Sequence, residues 1–367
     1  MEHLDDNKKE DVTPNTDQFE ESLLGDSNAI ESINPSPNLE TSASDLSFTN
    51  RIDLSELQAG IALIKGEISK VIVGQKGMID MLIASILANG HSLIEGVPGV
   101  AKTISAKLLA KSLDVDFSRI QFTPDLMPSD ILGTSVFNMK DSEFDFKKGP
   151  IFSNMILIDE INRAPAKTQA ALFEVMEERQ VTIDGNKYKM DLPFIVLATQ
   201  NPVEQEGTYR LPEAQLDRFL FKIDIDYPNI DEEVEILNRE QNLQGKDKTD
   251  QVTAHLSADK IIKLQHLVEQ IKIESNLIRY IADMIVNTRN NPFLYLGASP
   301  RASIAILKAS KAFAAMDGRD FVTPEDIKRS AIPVLQHRVI VTPEREMEGV
   351  TTKQIIKQII EAVEIPR

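Results

Sequence analysis

No cysteine occurs in the 367 residues, so disulfides, thiol catalysis and cysteine-based metal sites are excluded. That fits a reducing cytoplasm, the expected location. The N-terminus lacks a basic-then-apolar signal, and no apolar run approaches the roughly 18 residues of a membrane span. The chain therefore reads as soluble, with no membrane segment. Basic charge is also scarce: 40 Lys and Arg stand against 57 Asp and Glu, a net of -17. A nonspecific grip on nucleic acid needs basic surface, so no direct nucleic-acid partner is expected. Neither a helix-turn-helix nor a zinc pattern is present, and no internal repeat is evident.

What is present suffices for a sizeable core: 42% of residues are apolar, and the length suggests two or three domains. The acidity is unevenly spread. Residues 1–50 hold 12 acidic side chains against Lys8 and Lys9, so they carry -10 of the total. This Asn-, Ser- and Pro-containing stretch shows no periodicity and reads as a disordered acidic tail. It serves either as a solubilising extension or as a partner-binding or inhibitory arm.

The chain is organised around Gly96-Val97-Pro98-Gly99-Val100-Ala101-Lys102-Thr103. A short apolar strand, Ser92–Glu95, precedes it, and Ile104, Leu108, Leu109 and Leu113 follow at helical spacing. This is the strand–glycine turn–helix context of a phosphate loop. Glycines let backbone N–H groups wrap an anion, the lysine reaches β/γ-phosphates, and the hydroxyl beside it can hold Mg²⁺. The helix beginning at Lys102 presents its positive end to the same anion. Ala101 stands where the pattern has its last glycine; a methyl fits there if that residue keeps φ below zero. Upstream, two amphipathic helices are expected over Leu57–Val71 and Met78–Ala88. Between them Ile72 and Val73 are candidates to wall an adenine pocket, with ordinary core as the equal alternative.

The next landmark is Met155-Ile156-Leu157-Ile158-Asp159-Glu160, a strand buried on both faces that ends in two carboxylates. Carboxylates at that end lie where open α/β sheets bind ligands. One beside Mg²⁺ and a second able to polarise water is the pair that ATP hydrolysis requires. The 57 residues from Lys102 to Asp159 exceed one βαβ unit, so Arg119–Phe122 is expected as an outer strand. The phosphate-loop and Asp-Glu strands are then expected to be neighbours. Residues 123–150 read as a loop or short hairpin. A helix from Pro165 to Gln180 follows, then a hairpin around Asp184-Gly185, and a buried strand at Phe194–Ala198 leading to Asn201. A short helix starts at Pro212, and a last strand spans Phe221–Asp226. Beyond Pro228 only helices are expected: 231–242, 257–273, 275–289, 301–317 and 324–335. Caps at Ser299-Pro300 and Thr323-Pro324 mark two of them.

Five segments, GVPGVAKT (96–103), MILIDEINRA (155–164), LATQNP (197–202), LPEAQLDRF (211–219) and GASPRA (297–302), resemble the MoxR-type AAA+ ATPases in order and spacing. The resemblance covers about 55–345 and implies a P-loop αβα sandwich with a parallel sheet and a smaller all-α lid, assembling into a homo-oligomeric, hexameric ring. The domains expected are the tail 1–50, a nucleotide-binding α/β domain 51–228, a lid 229–345 and a C-terminal extension 346–367, expected to be helical. The cofactors implied are ATP and Mg²⁺, with Lys102 on phosphate, Thr103 and Asp159 on the metal and Glu160 activating water. Asn201 resembles sensor 1; read alone it is a turn-former before Pro202. Arg218 resembles an arginine finger acting on the next subunit, against a surface-helix arginine. Arg301 resembles sensor 2, placed to touch the γ-phosphate and couple it to the lid, against a surface arginine. Arg163 has no arguable role. Phe144–Phe152 and the 181–190 hairpin sit where the family carries pore-lining insertions.

The function implied is chaperone-like remodelling or maturation of protein clients, commonly those carrying a von Willebrand A domain. A nucleic-acid motor or loader on the same core, and an ATP-sensing scaffold with little turnover, are the alternatives.

Overall fold

A computed structural model of the chain describes residues 52–97, 99–202, 209–243 and 247–366. The acidic tail over 1–50 and Pro98 of the phosphate loop lie outside the described residues. The chain enters through α1 (Ser55–Ser69) and α2 (Lys76–Leu87). Leu57, Ile61, Ile64 and Ile68 recur every three or four residues and all are buried, so α1 is an amphipathic helix with its stripe on the core.

There follow β1 (Ser92–Gly96), α3 (Lys102–Ser112), β2 (Phe117–Gln121) and α4 (Pro128–Leu132). A hairpin, β3 (Gly133–Asn138) with β4 (Glu143–Lys148), leads to β5 (Met155–Asp159) and α5 (Ala166–Glu178). A second hairpin, β6 (Gln180–Ile183) with β7 (Asn186–Lys189), turns at Asp184-Gly185, both at positive φ. Then come β8 (Ile195–Gln200), the single-turn α6 (Glu213–Leu216) and β9 (Phe221–Ile225).

Five of these strands form one parallel sheet in the order β2-β5-β8-β1-β9. β2 lies outside β5, as expected. The expected pairing of β1 with β5 is incorrect, because β8 lies between them: Ile94 is level with Thr199, and Ile158 with Ala198. All three strands are apolar enough to be central, so hydrophobicity does not rank them. Side chains alternate between two cores. Ile94, Leu157, Leu197 and Ile223 face α1–α3, while Leu93, Ile156, Ile158 and Val196 face α5.

The second half holds α7 (Ile230–Leu243), a 3₁₀ turn (Lys248–Gln251), α8 (Ala258–Glu269), α9 (Ser275–Asn290) and β10 (Leu294–Leu296). It ends with α10 (Pro300–Met316), α11 (Pro324–Leu335), β11 (Ile340–Val341), α12 (Pro343–Met347) and α13 (Thr352–Ala362). The caps work as the sequence implies. Ser299 Oγ accepts from Arg301 N at 3.2 Å, and Thr323 and Asp326 close a capping box on α11.

The expectation of helices alone beyond Pro228 is corrected by β10 and β11, which pair antiparallel. Strands of three and two residues are too short to show a period of two. One apolar core runs without a break from α1–α3 into the lid helices, and Gln265 Nε2 bonds Ile86 O across it at 2.7 Å. Ile355, Ile356, Ile359 and Ile360 of α13 are buried in that same core. Among the described residues no helix is long and apolar enough to cross a membrane.

Candidate nucleotide site

β1 ends at Gly96, where a Cβ would meet Ile225 O at 3.0 Å; the turn needs glycine for that close approach. Gly99 follows at φ +88°. Ala101 caps α3 at φ +63°, so the condition under which a methyl sits there without strain is not met. The left-handed region costs an L-residue about 1–2 kcal/mol, a strain the loop carries one residue before its lysine. Lys102 Nζ donates to Gly96 O at 2.6 Å and to Gln200 O at 3.4 Å, which ties the loop to the end of β8. Asn201 follows immediately and is buried.

The carboxylates sit at the same edge. Asp159 is 5% exposed and accepts from Thr199 Oγ1 at 3.1 Å, from Arg119 Nε at 2.6 Å and from Thr103 Oγ1 at 3.4 Å to each oxygen. Glu160 leaves the strand at φ +57°, and its backbone N–H donates to Thr199 Oγ1 at 3.0 Å. One hydroxyl thus fixes both acidic residues. The Glu160 carboxylate accepts from Gln121 Nε2 at 2.8 Å and pairs with Arg163 Nε at 3.0 Å. A hydroxyl and one carboxylate suit Mg²⁺, which takes few protein oxygens and completes its shell with phosphate and water. Among the described residues no group of three His, Cys, Asp or Glu is placed to hold a metal, so these donors fit Mg²⁺ better than a fully caged ion.

The two remaining arginines lie elsewhere. Arg218 precedes β9, where Leu220 N bonds His91 O ahead of β1 at 2.7 Å. It is therefore at the edge where strands begin, about 16 Å from the phosphate loop, the length of a five-residue strand at ~3.3 Å per residue. Arg301, at the start of α10, is beside it. Arg218 Nη2 pairs with Glu177 Oε2 at 2.6 Å, and Arg301 Nη2 bonds Glu177 Oε1. The structure does not bring Arg301 to its own chain's phosphate loop. Around this pair, Arg179, Lys308 and Arg338 line a concave surface of about 280 Å³.

Residues 91–221 match the family model of ATPases associated with various cellular activities (AAA), and 286–359 match an AAA lid domain. The chain is 46% identical over 299 residues to an uncharacterized protein, YeaC, of Bacillus subtilis, covering 82% of this chain and 92% of that one. With the chaperone MoxR1 of Mycobacterium tuberculosis it shares 41% over 310 residues, 82% and 81% of the two chains. This chain belongs to the MoxR-type AAA+ ATPases. A crystal structure of a candidate ATPase from Cytophaga hutchinsonii superimposes with a TM-score of 0.79 at 45% identity, covering 86% of this chain and 97% of that one.

The lid match reaches residue 359 and so takes in α13, which the resemblance had left outside. In this MoxR-type chain Val73 lines two cavities of about 390 and 450 Å³. Ile72 lines the larger one and is also a buried member of the core. Gln75 Nε2 bonds Asp226 O just beyond β9 at 3.0 Å, so this segment is at the phosphate-loop edge. The two hairpins meet through Phe146 and Tyr188, 4.3 Å between ring centroids, and Phe144 is exposed at the first.

Sequence reasoning overlooked Arg119 and Gln121 on the carboxylates, Thr199 between them, and Glu177, Asp217 and Arg338 at the far edge. A signal existed for the first pair. In Arg119-Ile120-Gln121-Phe122 the polar residues alternate with apolar ones, which puts both on one face of the strand beside β5. Thr199 depends on β8 lying beside β5, and the others on lid docking; neither leaves a local pattern.

Proposed function

We propose that this MoxR-type protein hydrolyses Mg-ATP in a homo-oligomeric ring, hexameric as in its family, and couples the cycle to remodelling of protein clients. One observation carries the reading: the phosphate loop, Asp159 and Glu160 occupy one edge of the sheet, while Arg218 and Arg301 sit together at the other. A single subunit cannot apply all of them to one nucleotide. Two copies can, if the arginine edge of one faces the phosphate-loop edge of the next.

The backbone of 96–103, Lys102 and the start of α3 bind the phosphates. Val73, with Ile72 behind it, walls the base. Thr103 Oγ1 and the Asp159 carboxylate would hold Mg²⁺, which would supply positive charge against the developing negative charge of phosphoryl transfer. Glu160 accepts the proton of the attacking water, the β–γ bridging P–O bond breaks, and ADP and phosphate leave. Asn201 orients the water or the γ-phosphate. The neighbour's Arg218 and Arg301 meet the charge spread over the phosphoryl oxygens, for which planar guanidinium groups are suited.

The client reading is supported by the relative named a chaperone, and proteins with a von Willebrand A domain are the first to test. Phosphate release with and without Mg²⁺, measured alongside particle mass, tests the core of the proposal. Activity that requires the metal and rises with assembly supports it; full activity in an isolated monomer refutes it. Capture of clients by a Glu160→Gln ring held in ATP tests the remodelling.

A further inference from the structure

Asp217, immediately before Arg218, is bound from two directions by the lid. Its Oδ1 accepts from Arg338 Nε at 2.7 Å, and its Oδ2 accepts from Ser299 Oγ at 2.8 Å. Ser299 is the cap of α10, and its Oγ in turn receives Arg301 N. A short chain of hydrogen bonds therefore links the residue beside Arg218 to the backbone of Arg301.

Arg338 makes this link rigid. Its side chain is 3% exposed, and all five guanidinium donors find acceptors. Besides Asp217 Oδ1 these are Asp217 O at 3.0 Å, Phe219 O at 2.5 Å, Leu220 O at 3.2 Å, and Val334 O in the last turn of α11, just before Arg338. Four of the five lie in the segment 217–220 that carries Arg218. His337 Nε2 adds a bond to Phe219 O at 3.0 Å. A buried guanidinium in a fixed fork holds its acceptors to one geometry, and removing its carboxylate would leave an uncompensated charge.

The consequence is visible at Glu177. Arg218 and Arg301 come from different halves of the chain, yet they meet the two oxygens of one carboxylate. Guanidinium groups at that separation can also grip two oxygens of one phosphoryl group. Generic docking of the lid would require contact somewhere; it would not require the contact to fall on the residues flanking both arginines.

We propose that Asp217 is a positioning residue that, through Ser299 and Arg338, locks Arg218 and Arg301 into one unit able to grip the neighbouring subunit's γ-phosphate. The inference rests on the reading that these arginines act on the next subunit. A shift of the lid then moves both arginines together, so the angle of one lid sets hydrolysis next door.

Asp217→Asn keeps the size of the side chain and removes its charge. In the full-length ring it lowers kcat at least tenfold while the KM for ATP stays within about threefold. The defect belongs to the neighbour's site. Mixing with Glu160→Gln, which keeps a sound arginine edge, therefore restores turnover at the Asp217→Asn subunit's own intact phosphate loop. The milder Ser299→Ala lowers kcat about threefold or more at unchanged KM, and Ser299→Thr recovers it; this pair decides the question if Asp217→Asn fails to fold. Near-parental kcat in both Asp217→Asn and Ser299→Ala overturns the inference, and so does a loss that mixing does not repair. Arg218→Ala mixed with Glu160→Gln runs in parallel. If that mixture recovers while the Asp217 mixture does not, only the positioning role falls; if neither recovers although mixed rings form, the trans reading falls with it.

Discussion

Gln121 donates to Glu160 Oε2 at 2.8 Å, so the carboxylate offered as the base is held by the strand next to its own. Arg163, three residues on, reaches the same oxygen at 3.0 Å. The side chain is thus held in place by two donors at the end of the strands where the phosphate loop also lies.

Glu160→Gln follows directly from this geometry. The amide keeps size and hydrogen bonding but cannot accept the proton, and general-base catalysis supplies roughly 10²–10⁴ in rate. ATP and Mg²⁺ should still bind by calorimetry, and turnover should fall at least about 100-fold. Near-parental phosphate release would rule out the role.

Ala101 gives a prediction about strain. At φ +63° the methyl is unfavourable by about 1–2 kcal/mol, whereas glycine there returns about 0.4–1 kcal/mol through the unfolded chain. Ala101→Gly should therefore leave the melting temperature unchanged or raise it by a few degrees. A clear drop in thermal denaturation would mean that the methyl packs favourably enough to hold the turn.

His91 sets an acid limit. Burial pushes its pKa down to about 4, with Arg179 adding to the effect, while the ring accepts from Val196 N at 3.0 Å and bonds Met176 O at 3.2 Å. The unfolded chain takes up this proton near pH 6.5, and the folded chain resists until about 4. The contribution to stability is complete above pH 6.5 and is lost as pH falls from 6.5 toward 4. His337, also buried and shifted down chiefly by burial, adds in the same direction. Melting temperature should decline through that window, and His91→Asn should flatten part of the decline. An equal slope in the variant would remove His91 from the account.

Much of this was legible because the signals are local. A phosphate loop between strand and helix, four apolar residues ending in Asp159-Glu160, the Asp184-Gly185 turn and the Ser299-Pro300 cap each lie within about ten residues. The order of strands is not local. β8 wedges between β1 and β5, and all three are buried enough to be central, so their apolar content does not rank them. Ala101 at positive φ hides because alanine usually signals the opposite. The sequence puts Arg301 at the start of a lid helix, within reach of a γ-phosphate, without saying which subunit's. Only the docking of α10 through Asp217 and Arg338 shows that it shares an edge with Arg218.

The most direct test of a site completed by two copies mixes two inactive variants. Arg218→Ala keeps its phosphate loop and Glu160, so it should bind ATP almost normally yet lose about 10³-fold or more in turnover, the scale of an arginine finger. Lys102→Ala should lose nucleotide but keep Arg218 and Arg301. Each alone should be nearly silent, and the mixture should recover a substantial fraction of parental phosphate release as mixed rings form. A mixture that stays silent while mixed rings are demonstrably present, or an Arg218→Ala protein that remains active alone, would contradict it.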